Sequence, residues 1–368
     1  LVENLGIDKF RELVREERRI LPDDHRWTSY LDEKPAWGET PLHEASATVA
    51  NDTDSDYGEW RSSNVFSQKQ SGYAAAAVTL PLGDLNSYQL RELAKLARRF
   101  VGENVRTTVD QNLILRWVPE ADLPELYRRL KALGLGEHGA SSLLDITSCP
   151  GTDTCKLGIA ASRGLAAELE GRLRDLNEED EEVKQLRIKI SGCFNSCGQH
   201  HLADIGFFGN SRTLDGFKVP HFQVVLGGQW AGNAASFGMP IGAVPTKNIP
   251  EVLNRIITAF RNKRQASETF RAFVERAGKK QFRELIEDLM KLPRHATHPE
   301  LYTDWGDVRE FSLGDLGTGE CAGEVVSQFQ FLIADAEREV FEAQISHEQN
   351  QFVEADSLAY QGMVKAAR

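Results

Sequence analysis

An α+β architecture is predicted for this chain of 368 residues by three observations. Residues 72–134 read as strand, helix, strand, strand, helix. Residues 135–290 interleave short strands and helices around four clustered cysteines. The chain then closes on a helical stretch from about residue 323.

Ile7-Asp8-Lys9-Phe10-Arg11-Glu12-Leu13-Val14 opens an amphipathic helix to about Arg19, ended by Pro22-Asp23-Asp24. Residues 50–58 are acidic and turn-forming and are expected to be a loop; they lack the spacing of a calcium loop. A helical linker segment is therefore assigned to 1–62.

Residues 63–134 form the next unit. Tyr73 to Leu82 reads as a buried strand, although its run of alanines is compatible with helix. Asn86 or Ser87 caps a helix carrying Leu93, Ala94, Leu96, Ala97 and Phe100 at helical spacing, and Gly102 stops it. Val105–Val109 and Leu113–Val118 are strands around the polar turn Asp110-Gln111-Asn112, and Leu123–Leu133 is a second helix. The order β-α-β-β-α is that of a ferredoxin-like half-domain with helices on one sheet face.

The third unit, 135–290, has helices expected over 157–176, 249–263 and 267–278, the last capped by Ser267. Its strands are expected over 186–190, 200–209 and 222–228. Residues 300–368 form a tail of turns followed by helix.

Apolar residues make up 41% and charged residues 27%, the range of soluble globular chains. A formal net charge of −12 argues against a nucleic-acid partner bound by overall positive charge. No apolar run is long enough to span a membrane. Leu1-Val2-Glu3-Asn4 shows neither a signal-peptide pattern nor an initiator Met, so the chain is expected to begin inside a longer protein.

Four of the five cysteines fall in two tight pairs. Five residues separate Cys149 from Cys155, three separate Cys193 from Cys197, and 37 lie between the pairs. Clustered thiols without secretory signals point to a reducing, cytoplasmic setting and a soft-metal site. Pro150, Gly151, Gly192 and Gly198 let the backbone pass close to a bound group. A 4Fe-4S cluster needs four such ligands. A structural zinc site and four unrelated buried thiols remain open on spacing alone, although zinc loops favour shorter spacers.

Sequence around the cysteines narrows this choice. Gly192-Cys193-Phe194-Asn195-Ser196-Cys197-Gly198 with Leu202 to Gly209, Leu226-Gly227-Gly228, Arg106-Thr107-Thr108-Val109-Asp110-Gln111-Asn112, and Gly6 to Phe10 resemble segments of the siroheme- and 4Fe-4S-containing nitrite and sulfite reductases. The resemblance spans roughly residues 5–285 and the C-terminal half of that architecture. It implies a siroheme and 4Fe-4S-binding α+β domain after the half-domain. Cys149, Cys155, Cys193 and Cys197 would be the cluster ligands, with Cys197 also against the siroheme iron. The implied activity is six-electron reduction of sulfite to sulfide or of nitrite to ammonia, with electrons from ferredoxin or a flavoprotein. Gln111 and Asn195 would offer polar contacts to siroheme, and Arg106 would pair one of its carboxylates. Each has a plainer reading: a hydrogen-bonded turn for Gln111 and Asn112, a loop cap for Asn195, and a surface strand arginine for Arg106. Lys247 has the same two readings as Arg106.

The chain departs from the family's pattern at the substrate. The Arg and Lys residues that hold the anion come mainly from a first half-domain not found here, and Asp110 stands where pseudosymmetry would place a base. No catalytic residue is assigned on this reading. His200 and His201 are expected to be polar residues leaving the loop, and Cys321 an ordinary thiol. A non-catalytic metal-stabilised electron-transfer or scaffold module, and a corrin-biosynthesis relative of the same superfamily, are the competing functions.

Overall fold

Small side chains decide the first sheet. In the computed structural model, which describes residues 5–21, 24, 39–45, 55–176, 178–230, 236–312 and 328–366, the alanine-rich segment is a strand. Its alanines alternate between the two faces of the sheet, with Ala74, Ala76 and Ala77 buried and Ala75 half-buried. The half-domain runs α2 (Ser55–Asn64), β1 (Val65–Ser67), β2 (Tyr73–Val78), α3 (Ser87–Phe100), β3 (Val105–Thr107), β4 (Leu113–Pro119) and α4 (Leu123–Ala132). It is preceded by α1 (Ile7–Ile20), which has no buried residue. The antiparallel sheet has the order β1-β2-β4-β3, with a bulge where Trp117 takes a positive φ of 62°. Asn86 rather than Ser87 caps α3, forming a reciprocal capping box with Gln89.

Two sequence expectations change here. Residues 55–58 are helix rather than loop, while 50–54 and Pro22-Asp23 lie outside the described residues. Helix α2 also belongs to the half-domain core rather than to a linker ending at 62. Trp60 is fully buried and packs on Tyr127 at 5.3 Å and Tyr57 at 6.1 Å. Burying aromatic surface outweighs the helix-breaking character of Asp56, Gly58 and Ser62, because it contributes more than the roughly 1 kcal/mol that a glycine costs.

The second unit is a five-stranded mixed sheet: β5 (Thr147–Ser148), β6 (Ile188–Ser191), β7 (Ile205–Leu214), β8 (Phe217–Leu226) and β9 (Met239–Pro245). β5, β6 and β7 run parallel, and β7, β8 and β9 antiparallel. Helices α5 (Ser162–Leu176), α7 (Ile249–Lys263) and α8 (Phe270–Leu285) follow the expected order, and the single turn α6 (Glu181–Lys184) is an element the sequence reading did not include. One face buries Ile188, Ile190, Ile205, Phe207, Phe222 and Val224 beneath α5 and α7. The period of two turns Arg187, Lys189 and Ser191 to the other face.

The boundaries shift for local reasons. α5 starts at Ser162, not Leu157, because residues 157–161 complete the first cysteine loop. His200–Leu202 is a 3-10 turn, so the strand starts at Ile205. Thr269, not Ser267, caps α8, which runs beyond Gly278 through a non-helical break (φ 73°). The first part of the expected tail packs on the cysteine-bearing unit through the buried Leu301, Tyr302 and Phe311. The remainder forms an antiparallel hairpin of α9 (Gln328–Glu348) and α10 (Phe352–Ala366), closed by buried Ala336, Ala343, Ala355 and Gly362. Cys321 and residues 323–327 lie outside the described residues. Among the described residues, no helix is long and apolar enough to cross a membrane.

Candidate metal centre

Both cysteine loops leave the sheet at the C-terminal ends of neighbouring parallel strands, β5 and β6. The Cys149 N–H still donates to Ile190 C=O at 3.1 Å, as the last rung between them. The chain then turns through Gly151 at a φ of 57°, and the Cys155 N–H returns to Gly151 C=O at 3.1 Å. Ser162 Oγ, at the start of α5, donates to Cys149 C=O at 2.7 Å and lies 3.5 Å from its Sγ. In the second loop, Ser191 Oγ accepts from the Gly198 N–H at 3.1 Å and shares a hydrogen bond with His200 Nδ1 at 2.8 Å. The stretch holding Cys193 and Cys197 is thereby tied at its base.

The loops interlock at Gly192. Its N–H donates to Cys149 Sγ at 3.0 Å, and its C=O accepts from the Ile159 and Ala160 N–H groups at 2.8 and 3.0 Å. A Cβ at Gly192 would stand 2.5 Å from Gly151 Cα, so only glycine allows the approach. Cys149 and Cys193 are buried, and Cys155 and Cys197 are exposed.

The four thiols fit an iron–sulfur cluster. Two loops leaving neighbouring strands carry the four thiols, and the Gly192 N–H of the second loop points at the Cys149 sulfur of the first. N–H donation stabilises thiolate charge and is one of the levers that set cluster potential. Zinc fits less well, since zinc loops favour shorter spacers than the five residues between Cys149 and Cys155. Among the described residues, no group of His, Cys, Asp or Glu could hold a single metal ion.

The turn between β3 and β4 reaches across from the half-domain and docks on this unit. Gln111, at a φ of 65°, accepts from the Ser148 N–H at 3.1 Å and donates to the Ser148 C=O at 2.9 Å. Asn112 is buried; it accepts from the Leu80 N–H and donates to both Asp145 oxygens, each at 2.9 Å. Burial holds Asp145 above the ordinary carboxylate range, and the Asn112 bonds oppose this. Asp110 accepts from Lys189 Nζ at 2.7 Å and lies 3.9 Å from Arg187. Arg187 in turn stacks over Trp230 at 4.6 Å. Asp110 therefore docks two domains by holding buried cations. Neither its sequence position nor the composition of Arg187 and Lys189 signalled that pairing.

Other expected site residues are placed as follows. Arg106 is an exposed strand residue paired with Glu39, which Arg116 also reaches at 2.7 Å. Asn195 is exposed between two of the cysteines, beside Phe194. Lys247 donates to Asp304 C=O at 3.0 Å and sits 4.0 Å above Trp305; burial lowers its pKa. His200 is not a polar residue leaving the loop. It is fully buried against His201 and Phe208, and burial, with His201 next, pushes its pKa down to about 3, so it is neutral. Ser162, Ser191 and Asp304 escaped sequence reasoning, since nothing local marks a serine as a loop tie. Asp304 accepts from the Ala161 N–H at 2.8 Å and so steadies the start of α5 from 143 residues away.

A cavity of about 720 Å³ opens beside Cys155, between Arg163 and the strap carrying Trp305 and Phe311. The exposed thiol is accessible from that side.

Fold and site together define an α+β protein with a half-domain docked on a unit that presents two cysteine-bearing loops. The chain belongs to the nitrite/sulfite reductase family. The family's "Nitrite/Sulfite reductase ferredoxin-like half domain" matches residues 66–133, and its "Nitrite and sulphite reductase 4Fe-4S domain" matches 139–293. The family's cofactors are a 4Fe-4S cluster and siroheme. A ferredoxin–nitrite reductase of Synechococcus elongatus is 28% identical over 70% of this chain and 45% of its own length. A ferredoxin sulfite reductase of Mycolicibacterium paratuberculosis is 30% identical over 77% of this chain and 47% of its own. The solved structure of the Mycobacterium tuberculosis NirA protein superposes with a TM-score of 0.55 at 29% identity, covering 77% of this chain and 48% of that one. The chain thus spans about half the length of the relatives it matches.

Proposed function

We propose that this chain carries the cluster-bearing part of a siroheme-dependent reductase that converts sulfite to sulfide or nitrite to ammonia by six-electron transfer. The cross-loop bond from the Gly192 N–H to Cys149 Sγ supports the reading, because it joins the loop of the first cysteine pair to the loop of the second. Cys149, Cys155, Cys193 and Cys197 would hold the cluster, and Cys197, exposed beside Phe194, would be the thiolate shared with siroheme. When bound, these cofactors supply single-electron transfer and an iron that takes the substrate.

The protein's part is positional. Buried Cys149 and Cys193 exclude water from one side of the centre, and donated N–H groups offset thiolate charge there. The buried cations Lys189 and Arg187 are engaged by Asp110, so neither is assigned to the substrate anion. Asn195, exposed between Cys193 and Cys197, has support for a role near the macrocycle, whereas the Gln111 amide is engaged by the Ser148 backbone. Arg106, tied to Glu39, has weaker support for one. A ferredoxin is the donor suggested by the relatives' names, a flavoprotein the other choice, and the reducing setting fits the cytoplasm.

Anaerobic iron and labile-sulfide analysis with an absorption spectrum tests the proposal. About four of each per chain, as the cluster type requires, is the expected result, and turnover of sulfite against nitrite then fixes the substrate. One zinc and no sulfide in protein never exposed to air would overturn it.

A further inference from the structure

We infer that Gln111 is a positioning residue for Cys149: its side-chain amide completes the open edge of β5 and so sets the direction in which the first cysteine loop leaves the sheet. The inference rests on the cluster reading of that loop.

β5 has a sheet neighbour on one side only, β6. Along a strand, alternate residues turn their N–H and C=O groups to one neighbour and then to the other side. The Cys149 N–H goes to Ile190 on β6, so the Ser148 pair points outward. Ser148 is 1% exposed, which leaves no water to satisfy that pair. Gln111 meets both groups, Oε1 taking the N–H at 3.1 Å and Nε2 giving to the C=O at 2.9 Å. A primary amide offers the same donor and acceptor as a peptide group. It acts as a one-residue strand on an otherwise open edge, one position before a cysteine ligand.

The rest of the turn is built to aim this amide. Gln111 itself takes the left-handed conformation, unusual for a residue other than glycine. Gly83 lies beneath it, where a Cβ would come within 3.1 Å of the Gln111 Cβ. Asp110 to Lys189 on one side and Asn112 to Asp145 on the other prevent the turn from swinging. The half-domain thereby reaches the backbone beside Cys149 through the Gln111 amide.

Two variants of the full chain test this. Gln111→Met keeps the length without the amide, and Gln111→Glu keeps the acceptor for the Ser148 N–H but loses the donor. In chain loaded anaerobically, Gln111→Met should change the electron paramagnetic resonance signature of the reduced cluster and speed its loss at least tenfold, with Gln111→Glu in between. In cluster-free chain, deuterium uptake by peptides covering 147–149 should rise at least tenfold, while the circular dichroism spectrum holds. Wild-type signature and loss rate in Gln111→Met, or unchanged uptake, would overturn the inference. If Gln111→Met fails to fold, the same readouts on Gln111→Glu decide it. Wild-type chain that binds no iron would overturn the cluster reading, and the uptake comparison would still decide whether Gln111 pairs the edge.

Discussion

Gly192→Ala is the substitution whose consequence the structure determines most directly. The new Cβ would stand 2.5 Å from Gly151 Cα and 2.9 Å from Ala160 C=O, whereas ordinary contact begins at 3.4 Å. The two loops must therefore separate by about 0.9 Å, the difference of 3.4 and 2.5. Both obstructing atoms are backbone, so no rotamer change relieves the clash. Overpacking of this kind costs about 1–3 kcal/mol. The opening also strains three hydrogen bonds made by Gly192, to Cys149 Sγ and from the Ile159 and Ala160 N–H groups, at about 1 kcal/mol each. A loss of about 4–6 kcal/mol is expected in urea denaturation of the metal-free chain, and iron per chain should fall below half of wild type. Gly171→Ala is the matched control. That glycine sits on the exposed face of α5 with nothing within 4 Å, so alanine should stabilise by about 0.5–1 kcal/mol. If Gly192→Ala left stability within about 0.5 kcal/mol of wild type and iron content unchanged, the interlocking of the loops would be refuted.

Three further outcomes are expected. Burial raises Asp204 from 3.8 to about 6, so its contribution to stability is complete below pH 3.8 and is lost as pH rises through about 6; Asp204→Asn should therefore stabilise by up to about 3 kcal/mol above that range and by nothing below pH 4. A pH-independent difference in urea titrations would contradict this. Asn112→Ala leaves the Leu80 N–H without its acceptor and Asp145 with only the Ser141 N–H, and should cost about 2–4 kcal/mol in thermal unfolding; a cost under about 0.5 kcal/mol would show that Asn112 does not help hold the two units together. Asp304→Ala removes the acceptor of the Ala161 N–H and of Thr246 Oγ1, and should cost about 1–3 kcal/mol with faster hydrogen exchange in the first turn of α5; unchanged exchange there would rule out the tie.

The sequence by itself determined the class of fold, the β-α-β-β-α order after residue 72 (though not α2 and β1 before it), the four candidate ligands and the family, because those depend on local signals. Hydrophobic period, cap residues such as Asn86, and cysteine spacing all act over a few positions. Tertiary structure decided what depends on partners far along the chain. Helix α2 exists because Trp60 finds Tyr127, 67 residues away, and β2 is a strand because flanking elements cover its alanines. His200 is a neutral, buried tie because the chain folds Ser191 and Phe208 around it. Gln111 was visible as a candidate, but its partner was not: an amide gives no sign in sequence of whether it will face a ligand or an unpaired strand edge. That choice was made when two sheets met, since a buried N–H and C=O had to be paired by whatever side chain the neighbouring turn brought within reach.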